Sequence, residues 1–185
     1  MSTTAVVTVD EYHRMIASGS FEPREKHRVE LIRGEILPMS PISPLHNDVV
    51  AKLNEWSVCS VPRAEAKVWV QGSIGLPALA SEPEPDVVWL KRRSYAKKLP
   101  LPKDVLLLIE VAETSLAKDR DLKGPLYAGA AIGEYWIVNL VDPSVEVYRN
   151  PEGTCYQIQR TFRCDQSVRS LAFPDISLDV ASLFE

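Results

Sequence analysis

Residues 105–112, Val-Leu-Leu-Leu-Ile-Glu-Val-Ala, constrain the fold more tightly than any other stretch of the chain. The run is short, aliphatic and nearly continuous in apolar residues, the pattern of a strand buried on both faces of a sheet. Glu110 stands inside it. A carboxylate in such a strand is costly unless its charge is compensated, and a bound cation is one way to do so. A second apolar run, Val87-Val88-Trp89-Leu90, is introduced by Asp86 in the sequence Glu84-Pro85-Asp86. Pro85 biases Glu84 away from helix and sets an extended entry to that strand. Mg2+ and Mn2+ favour carboxylate oxygens, so Asp86 and Glu110 are candidate metal ligands. The structural alternatives are an Asp86 that bonds nearby backbone amides and a Glu110 paired with a neighbouring Lys or Arg.

Lys123 follows the Glu110 strand, just before Gly124-Pro125. A proline in a helix interior costs roughly 3 kcal/mol. This predicts a helix starting near Asp121, with Pro125 in its first turn and Lys123 near its N-terminus. On that helix Arg120, Lys123 and Tyr127 share a face. Lys123 could orient and polarise a water or offset charge on a phosphate; its structural alternative is an i,i+4 pair with Asp119. Glu30 becomes a third carboxylate if the segment Val29-Glu30-Leu31-Ile32 packs near Asp86, and is otherwise an outward-facing strand residue. His46 could contact a phosphate or act as a general base, or be structural. Glu113 is a competing candidate acid, but it lies beyond the apolar run, which predicts a surface position.

The rest of the chain supplies the frame. Thr8-Val9-Asp10-Glu11 has the capping-box pattern and predicts a helix to about Ala17. Residues 22–26 are charged, contain Pro23 and read as a loop. Residues 29–32 and 35–37 flank Arg33-Gly34 and read as a β-hairpin. Ser43-Pro44 fits N-cap and first turn of a second helix, with Leu45, Val49, Val50, Leu53 and Trp56 at helical spacing. Strands are expected over 66–70, 134–140, 145–149 and 156–162, with 73–76 continuing the sheet and a short terminal helix over 179–184. The pattern is α+β: a mixed sheet flanked by helices, preceded by an N-terminal helix and a hairpin.

The 185 residues fit one domain, 1–185. No stretch approaches the roughly 20 apolar residues of a membrane-spanning helix. Three scattered cysteines without CxxC spacing argue against zinc and against a disulfide framework, and with Met1–Ala5 lacking signal-peptide character the expectation is a cytoplasmic protein. A net charge of −4 counts against a large generic nucleic-acid surface. Positive charge is nonetheless clustered after the two acid-bearing strands, at Lys91-Arg92-Arg93, Lys97-Lys98, and Lys118, Arg120 and Lys123, which could form a basic rim or solvated faces.

The ordered set Val29-Glu30-Leu31-Ile32-Arg33-Gly34-Glu35-Ile36, Met39-Ser40-Pro41, His46, Glu84-Pro85-Asp86-Val87, Glu110-Val111, Lys123 with Tyr127, and Glu134-Tyr135-Trp136-Ile137-Val138 resembles the Uma2 family (DUF820) over nearly the whole chain. That family is similar to the PD-(D/E)XK nucleases. The resemblance implies a restriction-endonuclease-like core in which Asp86 and Glu110 bind Mg2+ or Mn2+, with the Val111 carbonyl completing the shell. The Lys of the plain superfamily pattern falls on Ala112, and the resemblance transfers its role to Lys123, with Glu30 as an additional acid. Glu113-Thr114-Ser115 stands where relatives have Ser-Pro-Ser. The implied activity is metal-dependent hydrolysis of phosphodiester bonds, DNA being the implied substrate. His46, Arg120, Lys91 and Arg92 are candidate substrate contacts, and a homodimer is compatible with cutting both strands. The alternatives are a nuclease-fold protein that binds nucleic acid without cutting it, and an assembly module in which Glu110 and Lys123 form an internal ion pair.

Overall fold

The computed structural model describes residues 6–22 and 28–185. The expected loop over 22–26 therefore falls, apart from Glu22, outside the described residues. Helix α1 (Val9–Ala17) opens on the reciprocal cap expected of it: Thr8 accepts from the Glu11 backbone, and Glu11 returns a carboxylate to the Thr8 N–H. Strands β1 (Val29–Ile32) and β2 (Glu35–Pro38) form a separate hairpin. Its turn residues Arg33 and Gly34 both have positive φ, 51° and 77°, as a two-residue hairpin turn matching the strand twist requires. Helix α2 (Pro44–Ser60) starts on the Ser43 cap with Pro44 in its first turn. Val49, Val50 and Leu53 are buried, whereas Leu45 remains half exposed.

Strands β3 (Ala66–Val70), β4 (Val87–Lys91), β5 (Val105–Ala112), β6 (Glu134–Asn139), β7 (Ser144–Glu152) and β8 (Cys155–Arg163) form one six-stranded sheet in chain order. All its neighbours are antiparallel except β5 and β6, which run parallel and are joined by a helical crossover. Strands β9 (Ser167–Arg169) and β10 (Ser177–Asp179) form a further small hairpin. They are too short to announce themselves by alternation. The expected terminal helix reduces to a single 3-10 turn over Ala181–Leu183, and 73–76 is irregular backbone tied down by an isolated Leu76–Ser81 bridge rather than a strand.

The strands carry two cores. On one face Trp89, Leu107, Ile109, Val111, Trp136 and Val138 pack against α2; on the other Val88, Leu108, Ala112, Tyr135 and Ile137 pack against the crossover helix. Leu107, Leu108, Ile109 and Val111 are almost completely buried; at about 2 kcal/mol each, such side chains let β5 tolerate one buried carboxylate.

The crossover departs from expectation in a way that matters for the site. It does not begin near Asp121. It runs as α3 (Leu116–Lys118), a widened π turn (Asp119–Lys123) and α4 (Gly124–Gly129), without a break. Gly124 N–H donates to the Asp119 carbonyl, five residues back rather than four. In a regular helix the Pro125 ring would strike the carbonyl of Asp121 and leave it without a donor. The extra residue in the turn admits the proline, so the helix continues instead of restarting.

Candidate active site

The antiparallel register pairs Val87 with Ile109 and Val88 with Leu108. Continued by one residue, it sets Asp86, just ahead of β4, opposite Glu110 in β5. Both are buried, 9% and 3% exposed. Asp86 Oδ2 accepts from the Val111 backbone N–H at 2.9 Å and lies 3.2 Å from His46 Nε2, while its Oδ1 has only the Gln71 amide at 3.5 Å. The strand-initiating Asp bonded to a backbone amide is thus present, and it leaves one oxygen facing the cleft. Glu110 Oε1 accepts from Lys123 Nζ at 2.9 Å and from the Tyr127 hydroxyl at 2.7 Å.

Lys123 is the centre of the cluster. Its ammonium lies 2.9 Å from Glu110, 3.4 Å from Glu30 and 3.8 Å from Asp119, and it is almost fully buried. Both sequence-level readings of Lys123 therefore hold: it reaches the acids, and it keeps its pairing with Asp119. Burial works against its charge, but Glu110, Glu30 and Asp119 together outweigh burial and raise its pKa, so it stays a cation. Glu110 goes the other way. Burial pushes its carboxyl up to about 8, with Asp119, Asp86 and Glu30 adding to the rise against the pull of Lys123. Asp119 is also raised, chiefly by burial.

Glu30 faces inward, as it must if its hairpin packs near Asp86. Lys118 Nζ holds its Oε1 at 2.7 Å, and its other oxygen has no hydrogen-bond donor, only the Lys123 ammonium 3.4 Å away. Around these groups Arg28, Met39 to Ile42, His46, Glu84, Glu113 and Ser115 line a partly open cleft whose inner space is about 50 Å³. That inner space suits water or a small ion.

Three residues named from the sequence contribute in ways it did not indicate. Glu113 is not a free surface residue: it is half-buried in the wall of the cleft and accepts from the Ser43 hydroxyl at 2.5 Å. Asp119 pairs with Lys123 at i,i+4 spacing, and Lys118 joins the cluster because of the π turn. Lys118 and Lys123, five residues apart, would face about 140° from one another on a regular helix, yet both reach Glu30. The signal for Asp119 was its four-residue spacing from Lys123; Lys118 was signalled only as a member of the basic cluster after the Glu110 strand, not as the partner of Glu30.

The candidate substrate contacts divide. His46 lines the cleft, its Nδ1 buried without a partner. Arg120 does not share the Lys123 face: the widened turn swings it to Glu146, which it grips with Nε at 2.9 Å and Nη2 at 2.5 Å. Lys91 and Arg92 lie at the opposite end of β4 from Asp86, about 16 Å away at strand spacing. They are brought to the same sheet, not to the cleft.

The chain matches the family described as "Uma2: Putative restriction endonuclease" over residues 9–181. It belongs to the Uma2 family. The fold is similar to that of a crystal structure described as a putative nuclease belonging to DUF820 from Anabaena variabilis ATCC 29413, with a TM-score of 0.74 and 18% identity over 96% of this chain and 97% of that one. No curated protein matches the chain. The restriction-endonuclease-like mixed sheet expected for a Uma2 protein is the one described above. No helix among the described residues is long and apolar enough to cross a membrane.

The donor set can be tested for a divalent cation. Among the described residues no three carboxylate, imidazole or thiolate groups already converge at ion-binding spacing. The reason is that the Lys123 ammonium occupies the point where Glu30, Glu110 and Asp119 meet. Beside it, Asp86 and Glu110 each have one oxygen tied by protein donors and the other free of any donor closer than 3.5 Å. Mg2+ is commonly held by one or two carboxylates, with waters and substrate oxygens completing its shell. The residues present fit that pattern.

Proposed function

We propose that this Uma2 protein is an endonuclease that hydrolyses phosphodiester bonds with the help of Mg2+ or Mn2+, and that its substrate is DNA. The observation that supports this best is the Asp86–Glu110–Lys123 arrangement: two buried acids on facing strand ends, one of them crowded enough to be pushed up to about 8, beside a buried ammonium. Asp86 and Glu110 would hold the cation, with the Val111 carbonyl as a further oxygen. When bound, it supplies Lewis acidity toward the scissile phosphate and toward a water. The chain's own residues do the rest. His46 and the Val111 N–H fix Asp86 Oδ2, and Tyr127 fixes Glu110 Oε1, so each carboxylate presents its remaining oxygen. Lys123 orients the attacking water and offsets the charge that develops on the phosphate. Glu30 and Asp119 keep Lys123 charged and in place. Arg28 at the rim, and Lys91 and Arg92 farther off, would contact backbone phosphates, which position a duplex without reading its sequence. A homodimer would place two such sites on one duplex.

The experiment is plasmid cleavage in Mg2+ or Mn2+, with and without chelator, comparing the wild type with Asp86→Ala. The expected result is nicking by the wild type alone, abolished by chelation. Equal nicking by both proteins would remove Asp86 from the site. One observation favours a second reading, a binding or assembly module: the 2.9 Å Lys123–Glu110 pair already compensates part of the buried charge. In that case Glu110→Ala destabilises the fold strongly and no cation-dependent cleavage is found.

A further inference from the structure

The widened turn that delivers Lys123 is held from outside the helix as well as from within it. The Asp119 carbonyl accepts the Gly124 N–H, and it also accepts the Tyr135 hydroxyl at 3.2 Å. Tyr135 stands on β6, fully buried, with its ring edge-on to Tyr127 at 5.0 Å. Its hydroxyl therefore reaches the helix backbone at the residue where the hydrogen-bond registry steps from four to five. In a regular turn the Asp119 carbonyl would serve the Lys123 N–H. A widened turn spreads its carbonyls, and a second donor at one of them favours that form over the regular one. Pro125 removes the regular alternative from the sequence side; Tyr135 secures the widened one from the sheet.

We propose that Tyr135 is a positioning residue: its hydroxyl, bound to the Asp119 carbonyl, holds the π turn in place and with it the Lys123 ammonium on Glu110. The functional weight of this rests on the cleavage reading above, but the geometry can be tested without cleavage. Tyr135→Phe removes one hydroxyl and keeps the ring. Tyr156→Phe is the matched control, since that hydroxyl also donates to a buried backbone carbonyl, Ile132 at 2.8 Å, in the same aromatic cluster but away from the turn. The readouts are acetylation of Lys123, followed by mass spectrometry, and hydrogen exchange of the Gly124 amide. Both are expected to speed up about tenfold in Tyr135→Phe, the scale of one lost buried hydrogen bond, and to stay at the wild-type rate in Tyr156→Phe. In cleavage assays Tyr135→Phe should lower kcat about tenfold at unchanged KM. Labelling that is unchanged in Tyr135→Phe, or raised equally in both variants, would overturn the proposal. A labelling difference in a protein that cuts no DNA would uphold the positioning role and sink the cleavage reading instead.

Discussion

Glu110 and Glu146 lie in one row across the sheet: Glu110 pairs with Ile137, and Ile137 pairs with Glu146. Both are buried, at 3% and 6% exposure. Their surroundings are opposite. Glu146 takes four donors, two from Arg120, one from Asn139 and one from Tyr148. Burial alone would raise its pKa, but the bonds from Arg120, Tyr148 and Asn139 outweigh burial and hold it below the ordinary value. Glu110 takes two donors on one oxygen and faces Asp119, Asp86 and Glu30. A buried carboxylate with all its bonds satisfied is a structural part. One that is left short of positive charge and surrounded by others like it is a place for a cation or a proton. The comparison separates two glutamates that burial alone would not.

The largest effect that would break the comparison is on turnover. Glu110→Gln should lower cation-dependent cleavage about 1,000-fold, with a melting temperature equal to or above that of the wild type because Gln keeps an oxygen to accept from Lys123 and Tyr127 without placing an acid among Asp86, Asp119 and Glu30. A large fall in melting temperature would put Glu110 in the same class as Glu146. The next effect is on stability. Glu146→Gln should leave cleavage in place and cost about 2 kcal/mol in denaturant unfolding, allowing for screening of the half-exposed Arg120. The sign of its pH dependence follows from the lowered pKa. The contribution of Glu146 is present above the ordinary carboxylate value of 4.5 and is lost as pH falls through the lower folded value, so the penalty of the variant should shrink in acid. A penalty that grows in acid would contradict this.

Smaller effects sharpen the edges. Lys118→Ala strips the 2.7 Å partner from buried Glu30; with Lys123 still beside it, the expected loss is about 1 kcal/mol in thermal or denaturant unfolding. Replacing Lys91 and Arg92 together by Ala should leave kcat alone and weaken DNA affinity about threefold at low salt, with a shallower salt dependence in a binding titration. A change in kcat would bring those residues into the site after all.

Legibility followed locality. The Thr8–Glu11 cap, the Arg33-Gly34 turn and the Ser43-Pro44 helix start are written in a few adjacent residues, and each stands where the sequence placed it. Asp86 and Glu110 were legible because a charge inside an apolar run is conspicuous. Lys123 was legible as a candidate, but its route to Glu110 was not. Read as a regular helix, Gly124-Pro125 required a restart near Asp121, and the π turn needs a period that neither the 3.6-residue nor the two-residue pattern contains. Arg120 was misplaced for the same reason, and Lys118, read only as part of a basic cluster, was not assigned to Glu30. Glu113 looked exposed because its partner, Ser43, is 70 positions away in sequence.

The central proposal is that Glu110, crowded by other acids and with one oxygen taking no donor, holds a cation, and that Glu146 does not. Calorimetric titration of the protein with Mn2+ tests it without any substrate. The account predicts binding to the wild type, the same binding to Glu146→Gln, and loss of that binding in Glu110→Gln. Equal Mn2+ affinity in wild type and Glu110→Gln would contradict it.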